Sequence, residues 1–139
     1  MEDAAAIAEM EHQIFSDAWS EKSVLDTMNQ KNAVCLTAEK AGRIIGYVLS
    51  YTAADEAEIA RIAVAEEFRR QGTARAILRE LENVCSSKGV KKLLLDVRDS
   101  NREARAFYTD MGFQEDGIRR RFYENPQEDG ILMSRELRS

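Results

Sequence analysis

Apolar residues recur at helical spacing in the first thirty residues of the chain. This periodicity predicts an amphipathic helix between Ala4 and Phe15, with His12 outside the apolar stripe and therefore in solvent. Ser20 is a residue type that caps helices, and a second helix is expected to follow it. The apolar positions of the two stripes are Ile7, Met10, Ile14, Val24, Leu25 and Met28.

The pattern then changes to runs rich in β-branched and aromatic residues. Residues 32–39 and 43–51 predict two strands of an antiparallel hairpin, joined by the turn residues 40–42. Residues 56–64 predict a third strand. From about Thr73 the helical spacing returns, with a stop at Gly89, and the inward positions are Ile77, Leu78, Leu81, Val84 and Cys85.

Residues 91–97 form a nearly unbroken apolar run, which predicts a strand covered on both faces. Strand, helix and strand together predict a right-handed crossover with parallel strands. Ser100 and Glu103 have capping-box spacing before a helix that Gly112 closes. Its inward positions are Ala104, Phe107, Tyr108 and Met111. Residues 113–123 and 130–137 predict two last strands, so the expected fold is α/β (α+β), a mixed central sheet with a parallel βαβ core flanked by helices.

The composition limits the size and the chemistry of this fold. With 139 residues, of which 44% are hydrophobic, one domain spanning residues 1–139 is expected. The net charge of -5 argues against binding nucleic acid phosphates and favours a positively charged partner. Cys35, Cys85 and the single histidine cannot supply a four-ligand zinc site, so no metal is expected. Without a membrane-span-like run or a basic signal-like start, the expected location is the cytoplasm.

The segment EEFRRQGTARAI, Glu66–Ile77, is the strongest candidate for a ligand site. A helix start leaves N–H groups unpaired and carries about half a positive charge, so it attracts phosphate. Gly72 lets a phosphate approach the backbone, and Arg70 and Arg75 can contact a second one. The segment therefore suits a pyrophosphate, although it lacks the motifs for ATP or NAD. The alternative is a glycine N-cap with arginines in solvent.

Arg69–Ala74, following the strand residues 62–64, resembles the Gln/Arg-x-x-Gly-x-Gly/Ala acetyl-CoA signature of the Gcn5-related N-acetyltransferase (GNAT) family. The order of elements resembles that family over nearly the whole chain. AWSEKS, LDVRDSNREARAFYTDMGF and IRRRFYENPQEDGILM are most similar to its RimI-type ribosomal-protein alanine N-acetyltransferases. The resemblance implies the GNAT fold and acetyl-CoA as cosubstrate. The family's first strand is expected to be missing or very short in this chain, which would uncover a sheet edge.

The same resemblance implies the residues that bind acetyl-CoA. Backbone groups at a bulge where two strands splay would bind the pantetheine arm, the helix start would bind the pyrophosphate, and an asparagine would contact the cofactor beyond the next strand. These residues are Ile62, Ala63, Val64, Arg70, Gln71, Gly72, Thr73, Ala74, Arg75 and Asn101. From the residues alone, Asn101 is only a helix cap.

Acetyl transfer to an amine needs a neutral nucleophile and a proton for the departing thiolate. The resemblance places Tyr108 near the sulfur, and its phenol is protonated at neutral pH; the alternative is a core tyrosine. For the base, the family has a glutamate where this chain has Asp96. Glu58 matches the base of histone-acetylating relatives, and alternation puts it on the same side as Ala60 and Ile62. Both carboxylates can equally be ordinary strand-end charges.

The resemblance places the acceptor between the Trp19 loop and the final hairpin, where Trp19, Arg119, Tyr123, Glu128 and Asp129 match the RimI-like pattern. The acidic pair Glu128 and Asp129 can meet a basic tail; the alternative is a solvent-facing loop. Three functions stay open: acetylation of a protein N-terminus, with ribosomal protein alanine expected; acetylation of a small amine or lysine; and CoA binding without catalysis. The expected partner is a protein N-terminus, without nucleic acid or membrane, and the expected state is a monomer or weak dimer.

Overall fold

The computed structural model describes residues 2–124 and 126–137. In this part of the chain two α-helices precede the first strand and two lie between later strands, and none of them is long and apolar enough to span a bilayer. The elements are α1 (Glu2–Ile14), α2 (Glu21–Met28), β1 (Ala33–Lys40), β2 (Arg43–Ala53), β3 (Glu56–Val64), α3 (Thr73–Ser87), β4 (Lys92–Arg98), α4 (Arg102–Asp110), β5 (Gln114–Tyr123) and β6 (Glu128–Glu136).

The strands form one mixed sheet in the order β1-β2-β3-β4-β6-β5. Only β3 and β4 pair in parallel, and α3 connects them; all the other neighbours are antiparallel. The predicted fold class, a mixed sheet with a parallel βαβ core, is confirmed. Within the described residues a helix comes first in the chain, and β1 lies at the edge of the sheet with β2 as its one strand partner.

Helices cover both faces of the sheet and so create two cores. Helices α3 and α4 pack on one face, where Leu78, Leu81 and Leu93 are almost completely buried. Helices α1 and α2 pack on the other face around Ile7 and Tyr47. His12 lies outside the buried stripe of α1 and is exposed, as its position predicts.

Strand β4 is fully buried on one face only, so the prediction that both faces are covered was wrong. Leu93, Leu95 and Val97 lie in the α3–α4 core, whereas Leu94 and Asp96 on the other face are half-buried. The apolar run is continuous in sequence, but its alternate positions meet different surroundings. The half-buried face of β4 therefore carries a polar group next to the core.

Helix α4 begins one residue later than its capping-box pattern predicts. The cap is Asn101, whose Oδ1 accepts a hydrogen bond from the Ala104 N–H at 3.1 Å. Ser100 instead donates its N–H to Glu128 at 2.6 Å. Glu128 of β6, and not Glu103, therefore accepts the hydrogen bond from the Ser100 N–H. The prediction that Ser100 caps α4 was wrong.

A β-bulge in β3 changes which side chains share a face. Leu49 pairs with Arg61 and Ser50 pairs with Ile59, so Ala60 is the extra residue. After the bulge Ile62 packs in the α3–α4 core. Glu58 therefore shares its face with Arg61 and not with Ile62, and the prediction from simple alternation was wrong at this point.

Candidate active site

The sheet opens between its two parallel strands. Pairing of β3 with β4 covers Glu56–Glu58 against residues 92–94 and continues no further. Beyond these pairs, residues 59–64 of β3 and 95–98 of β4 face a gap. Their inner edges offer backbone N–H and C=O groups to an extended ligand, because no strand pairs with these edges in the described part of the chain.

Helix α3 begins at Thr73, shortly after the part of β3 that borders this opening. Gly72 is its N-cap, has φ +82°, and provides no side-chain hydrogen bond to the helix. The N–H groups of the first turn, which starts at Thr73 and Ala74, therefore lack a side-chain acceptor and present the positive end of a helix dipole. The left-handed φ explains the glycine, since most side chains are strained there.

The side chains around the start of α3 differ in whether they already have a partner within the protein. Arg70 is exposed, has φ +63°, and forms no ion pair within the described residues. Arg75 pairs with Asp110 of α4 at 2.9 Å. Gln71 donates its side-chain amide to the Glu67 carbonyl at 3.3 Å. Arg70 is thus the cation best placed to meet an anion without first breaking an ion pair.

Tyr108 lies on the inner face of α4 and is 7% exposed. Its ring packs edge-on against Phe107 and Phe113, at centroid distances of 5.3 and 5.5 Å. Burial is the main cause that raises the pKa of Tyr108, and the nearby Tyr123 adds to it. The phenol is therefore neutral at physiological pH and available as a hydrogen-bond donor.

Asp96 approaches the opening from the other face of β4. Its side chain is 10% exposed, and Arg119 Nε lies 2.9 Å from Oδ1. This contact is at ion-pair distance but is not aligned as a hydrogen bond, so buried Oδ1 accepts none within the described residues. Burial raises the pKa of Asp96, Arg119 opposes this effect, and Glu58 adds to it. A largely buried carboxylate with a raised pKa is suited to accept a proton.

Glu58 lies on the same face, opposite Leu94 in the β3–β4 register. Its Oε2 accepts a hydrogen bond from the Tyr51 hydroxyl at 2.7 Å. This bond is the largest cause that raises the pKa of Tyr51 to about 12. The two candidate bases are close enough for Glu58 to raise the pKa of Asp96. One oxygen of Glu58, however, already accepts a hydrogen bond from Tyr51.

Tyr123 interacts electrostatically with candidate residues on both faces of the sheet. Its charge state affects the pKa of Tyr108, and Asp96 in turn affects Tyr123. Burial, with Asp96 as the next cause, raises the pKa of Tyr123 to about 12. Tyr108 packs with the α3–α4 core and Asp96 lies on the opposite face of β4, so the acid and base candidates lie on opposite faces of the sheet.

Two segments border the opening on the α1–α2 face. The first is residues 15–20, here called the acceptor loop. In this loop Trp19 is half-buried, and its backbone N–H donates to the Glu11 carboxylate at 3.0 Å. The second comprises residues 123, 124 and 126–129, where β5 ends and β6 begins, and is here called the β5–β6 connection; its acidic residues Glu128 and Asp129 are bound by other residues of the protein. Glu128 accepts from Ser100 and pairs with Arg98, and the Ser100 bond is the main cause that lowers its pKa. Asp129 accepts from the Arg121 N–H at 2.8 Å.

The sequence predictions missed Glu11, Arg61, Asp17 and Arg98, which connect these segments. Glu11 was detectable in principle, because it falls four residues after Ile7 and three before Ile14 on the apolar stripe of α1. A charged residue on such a stripe requires a buried partner. Arg61 could not be assigned to the same face because the bulge at Ala60 has no sequence signal.

Comparison with known proteins agrees with this architecture. The model of the Acetyltransferase (GNAT) family matches residues 4–113. The ribosomal protein bS18-alanine N-acetyltransferase of Escherichia coli strain K12 is 32% identical over 95% of this chain and 90% of its own length. The crystal structure of the E. coli ribosomal-protein-S18-alanine N-acetyltransferase superimposes with a TM-score of 0.92 and 30% identity, covering 100% of this chain and 90% of that one.

A GNAT family acetyltransferase from Elizabethkingia anophelis, solved with acetyl-CoA bound, superimposes with a TM-score of 0.74 and 25% identity over 85% of this chain and 84% of its own. The family match covers well over half of the sequence, and the predicted resemblance to the ribosomal-protein alanine N-acetyltransferases is confirmed. The chain belongs to the Acetyltransferase (GNAT) family and is an N-acetyltransferase.

Proposed function

We propose that this enzyme transfers an acetyl group from acetyl-CoA to the α-amino group of a protein N-terminus, with an N-terminal alanine of a ribosomal protein as the preferred acceptor. One observation carries the proposal: a buried phenol, Tyr108, and a largely buried carboxylate, Asp96, lie on opposite faces of the sheet, and Asp96 belongs to the part of β4 that borders the opening. A donor that enters from the α3 side and an acceptor from the α1–α2 side would meet between them.

The residues around the opening fit acetyl-CoA. The uncapped amides that follow Gly72, together with Arg70, suit its diphosphate. The free edge of residues 62–64 suits the amide groups of the pantetheine arm, although the Val64 carbonyl also accepts from Arg69 at 3.0 Å. When bound, acetyl-CoA supplies an activated acetyl group, and the CoA thiolate that departs needs a proton. Arg75 and Asn101 would assist at the edge of this site.

The free energy of deprotonation favours an α-amine as acceptor. An α-amino group with a pKa of about 7.8 loses its proton at pH 7 at a cost of roughly 1 kcal/mol, whereas a lysine with a pKa of about 10.4 costs nearly 5 kcal/mol. A carboxylate is a weak base even when burial raises its pKa. The base available here therefore suits an α-amine better than a lysine.

We assign the base to Asp96 and the acid to Tyr108. Burial raises the pKa of Asp96 even though its Oδ1 is ion-paired with Arg119, whereas Glu58 already accepts a hydrogen bond from Tyr51. Asp96 would take the ammonium proton directly or through water, and Glu58 would keep the surrounding potential negative. The Tyr108 hydroxyl would donate to the departing sulfur. Arg119, Tyr123, Trp19 and Glu128 would line the acceptor path.

Mass spectrometry can test the acceptor class. The enzyme is incubated with acetyl-CoA and three acceptors: a peptide that begins with alanine and contains an internal lysine, the same peptide with a blocked α-amine, and a free polyamine. We expect one acetyl group on the α-amine of the first peptide and little on the other two. Acetylation of the blocked peptide or the polyamine at an equal rate would contradict an α-amine specificity.

The base assignment has its own test. Rates of Asp96→Asn and Glu58→Gln are compared across pH with those of the unmodified enzyme. We expect Asp96→Asn to lower kcat/KM by about 100-fold and to shift the acidic limb of the profile upward toward the pKa of the acceptor α-amine, about 7.8, while Glu58→Gln leaves that limb in place. The opposite outcome would transfer the base to Glu58.

A further inference from the structure

A buried polar network joins α1 to the bulged part of β3. Glu11 has no exposed surface, and its carboxylate accepts three hydrogen bonds from Arg61: Nη2 lies 2.6 Å and Nε 3.0 Å from Oε1, and Nε lies 3.2 Å from Oε2. Tyr47 donates its hydroxyl to the other oxygen. The Trp19 N–H donates to Oε1 as well. The network therefore fixes the backbone of the acceptor loop to the sheet.

Arg61 also contacts the side chains of the acceptor loop. Its guanidinium carbon lies 4.2 Å from the ring centroid of Phe15 and 5.6 Å from that of Trp19. Its Nη2 lies 3.5 Å from Asp17 Oδ1. One strand residue, placed on this face by the bulge, thus contacts the loop at several points along its length.

Asp17 extends the network across the opening. Its second oxygen lies 3.8 Å from Arg98 Nη2 at the end of β4. Arg98 in turn donates to the carbonyls of Glu124 and Pro126, both at 2.9 Å, and pairs with Glu128. The two segments that border the opening are therefore connected through one carboxylate held between two arginines.

We propose that Arg61, Asp17 and Arg98 form a positioning bridge that sets the distance between the acceptor loop and the β5–β6 connection. The bridge rests on the proposed function in one respect, because it assumes that the acceptor enters between these two segments. Asp17 is its weakest member, with a side chain 30% exposed, a long hydrogen bond of 3.5 Å from Arg61 and an ion-pair contact of 3.8 Å with Arg98. Its replacement should loosen the loop without unfolding the core, unlike loss of a partner of Glu11.

The test uses Asp17→Asn, the conservative variant Asp17→Glu, and Arg135→Met as a matched control. Arg135 pairs with Glu82 at 2.7 Å and is 33% exposed, but it lies between β6 and α3, away from the acceptor loop. We expect Asp17→Asn to raise the KM for an alanine peptide about tenfold with kcat and the Kd of acetyl-CoA within about twofold. Asp17→Glu should recover part of the loss, and the control should show no change in the KM for the peptide.

A second readout does not depend on the acceptor. Trp19 is the only tryptophan in the chain, so its fluorescence reports on the acceptor loop alone. We expect acrylamide to quench Trp19 more strongly in Asp17→Asn and Arg61→Lys than in the unmodified protein or in Arg135→Met. Unchanged quenching in Asp17→Asn would overturn the bridge even if the acceptor proves to be another amine. Failure to acetylate α-amines in the unmodified enzyme would instead overturn the proposed function.

Discussion

At the scale of single residues, burial determines what the acid and base candidates can do. The family pattern identifies Tyr108 and Asp96 from the sequence, but their surroundings come from distant segments. Asp96 meets Arg119 of β5, and Tyr108 is enclosed by Phe107 and Phe113. The sequence predicts the residue types at the site, whereas their pKa directions depend on burial that only the packed structure provides.

Tyr108→Phe tests the acid. The substitution removes one hydroxyl and retains the edge-on ring packing with Phe107 and Phe113, so the fold should be unaffected. We expect kcat to fall about 100-fold, in the range that general acids contribute, while calorimetry gives a Kd for acetyl-CoA within about twofold. An unchanged kcat would remove Tyr108 from the mechanism.

Asp96→Asn tests the cost of burying the base. Because the folded pKa of Asp96 is raised, its contribution to stability is fully present below the ordinary value of about 3.9 and is lost as pH rises through the raised value. Asparagine does not titrate, so the variant should melt a few degrees above the unmodified protein at pH 7. This difference should shrink as the pH falls toward about 4.

Thermal melting at the two pH values provides the measurement. A variant less stable than the unmodified protein at pH 7 would mean that the Arg119 ion pair outweighs the cost of burial. Arg119 is half exposed, which weakens the pair and favours the predicted sign.

At the scale of elements, periodicity predicts where helices and strands occur, and local exceptions determine the site. The hairpin, the βαβ unit and the helix that starts near Thr73 all follow from the spacing of apolar residues. The bulge at Ala60 does not, because it depends on the pairing with β2. The Asn101 cap was predicted, but the sequence did not decide between Asn101 and Ser100, because both residue types cap helices. The bulge is what places Arg61 and Glu58 on one face.

The start of α3 allows helix stability and anion binding to be separated. Asparagine and aspartate both tolerate the left-handed φ of Gly72 and have nearly the same size, but aspartate adds a negative charge. Gly72→Asp should be at least as stable as Gly72→Asn, because the charge favours a helix N-terminus. It should nevertheless bind acetyl-CoA at least tenfold more weakly, since the same charge repels the diphosphate.

Melting temperature and calorimetric Kd together provide the check. Gly89 has φ +85° beyond the other end of α3, so Gly89→Asn and Gly89→Asp form a control pair for backbone strain and added charge. Equal acetyl-CoA affinity in the two Gly72 variants would move the diphosphate away from this helix.

At the scale of the whole molecule, acidic residues outnumber basic residues, and the same excess is found on the acceptor side of the opening. Carboxylates outnumber arginines among the residues on this side, which are Glu11, Asp17, Glu58, Asp96 and Glu128 against Arg61, Arg98 and Arg119. A cleft of this charge attracts a cationic N-terminus, particularly one followed by basic residues.

Salt dependence tests this attraction. Raising the ionic strength from about 0.01 to about 1 M shortens the screening length from about 30 to about 3 Å. We expect the KM of an alanine peptide with nearby lysines to rise several-fold, while the KM of a neutral alanine peptide stays within about twofold. The same increase for both peptides would show that the cleft charge does not select the acceptor.

The most direct test of the whole account is a crystal structure with a bisubstrate ligand, in which CoA is linked to the α-nitrogen of an alanine peptide. We expect the diphosphate at the amides that follow Gly72, the linkage between Tyr108 and Asp96, and the peptide leaving between the acceptor loop and the β5–β6 connection. A diphosphate bound elsewhere, or a peptide that leaves on the α3–α4 face, would contradict it.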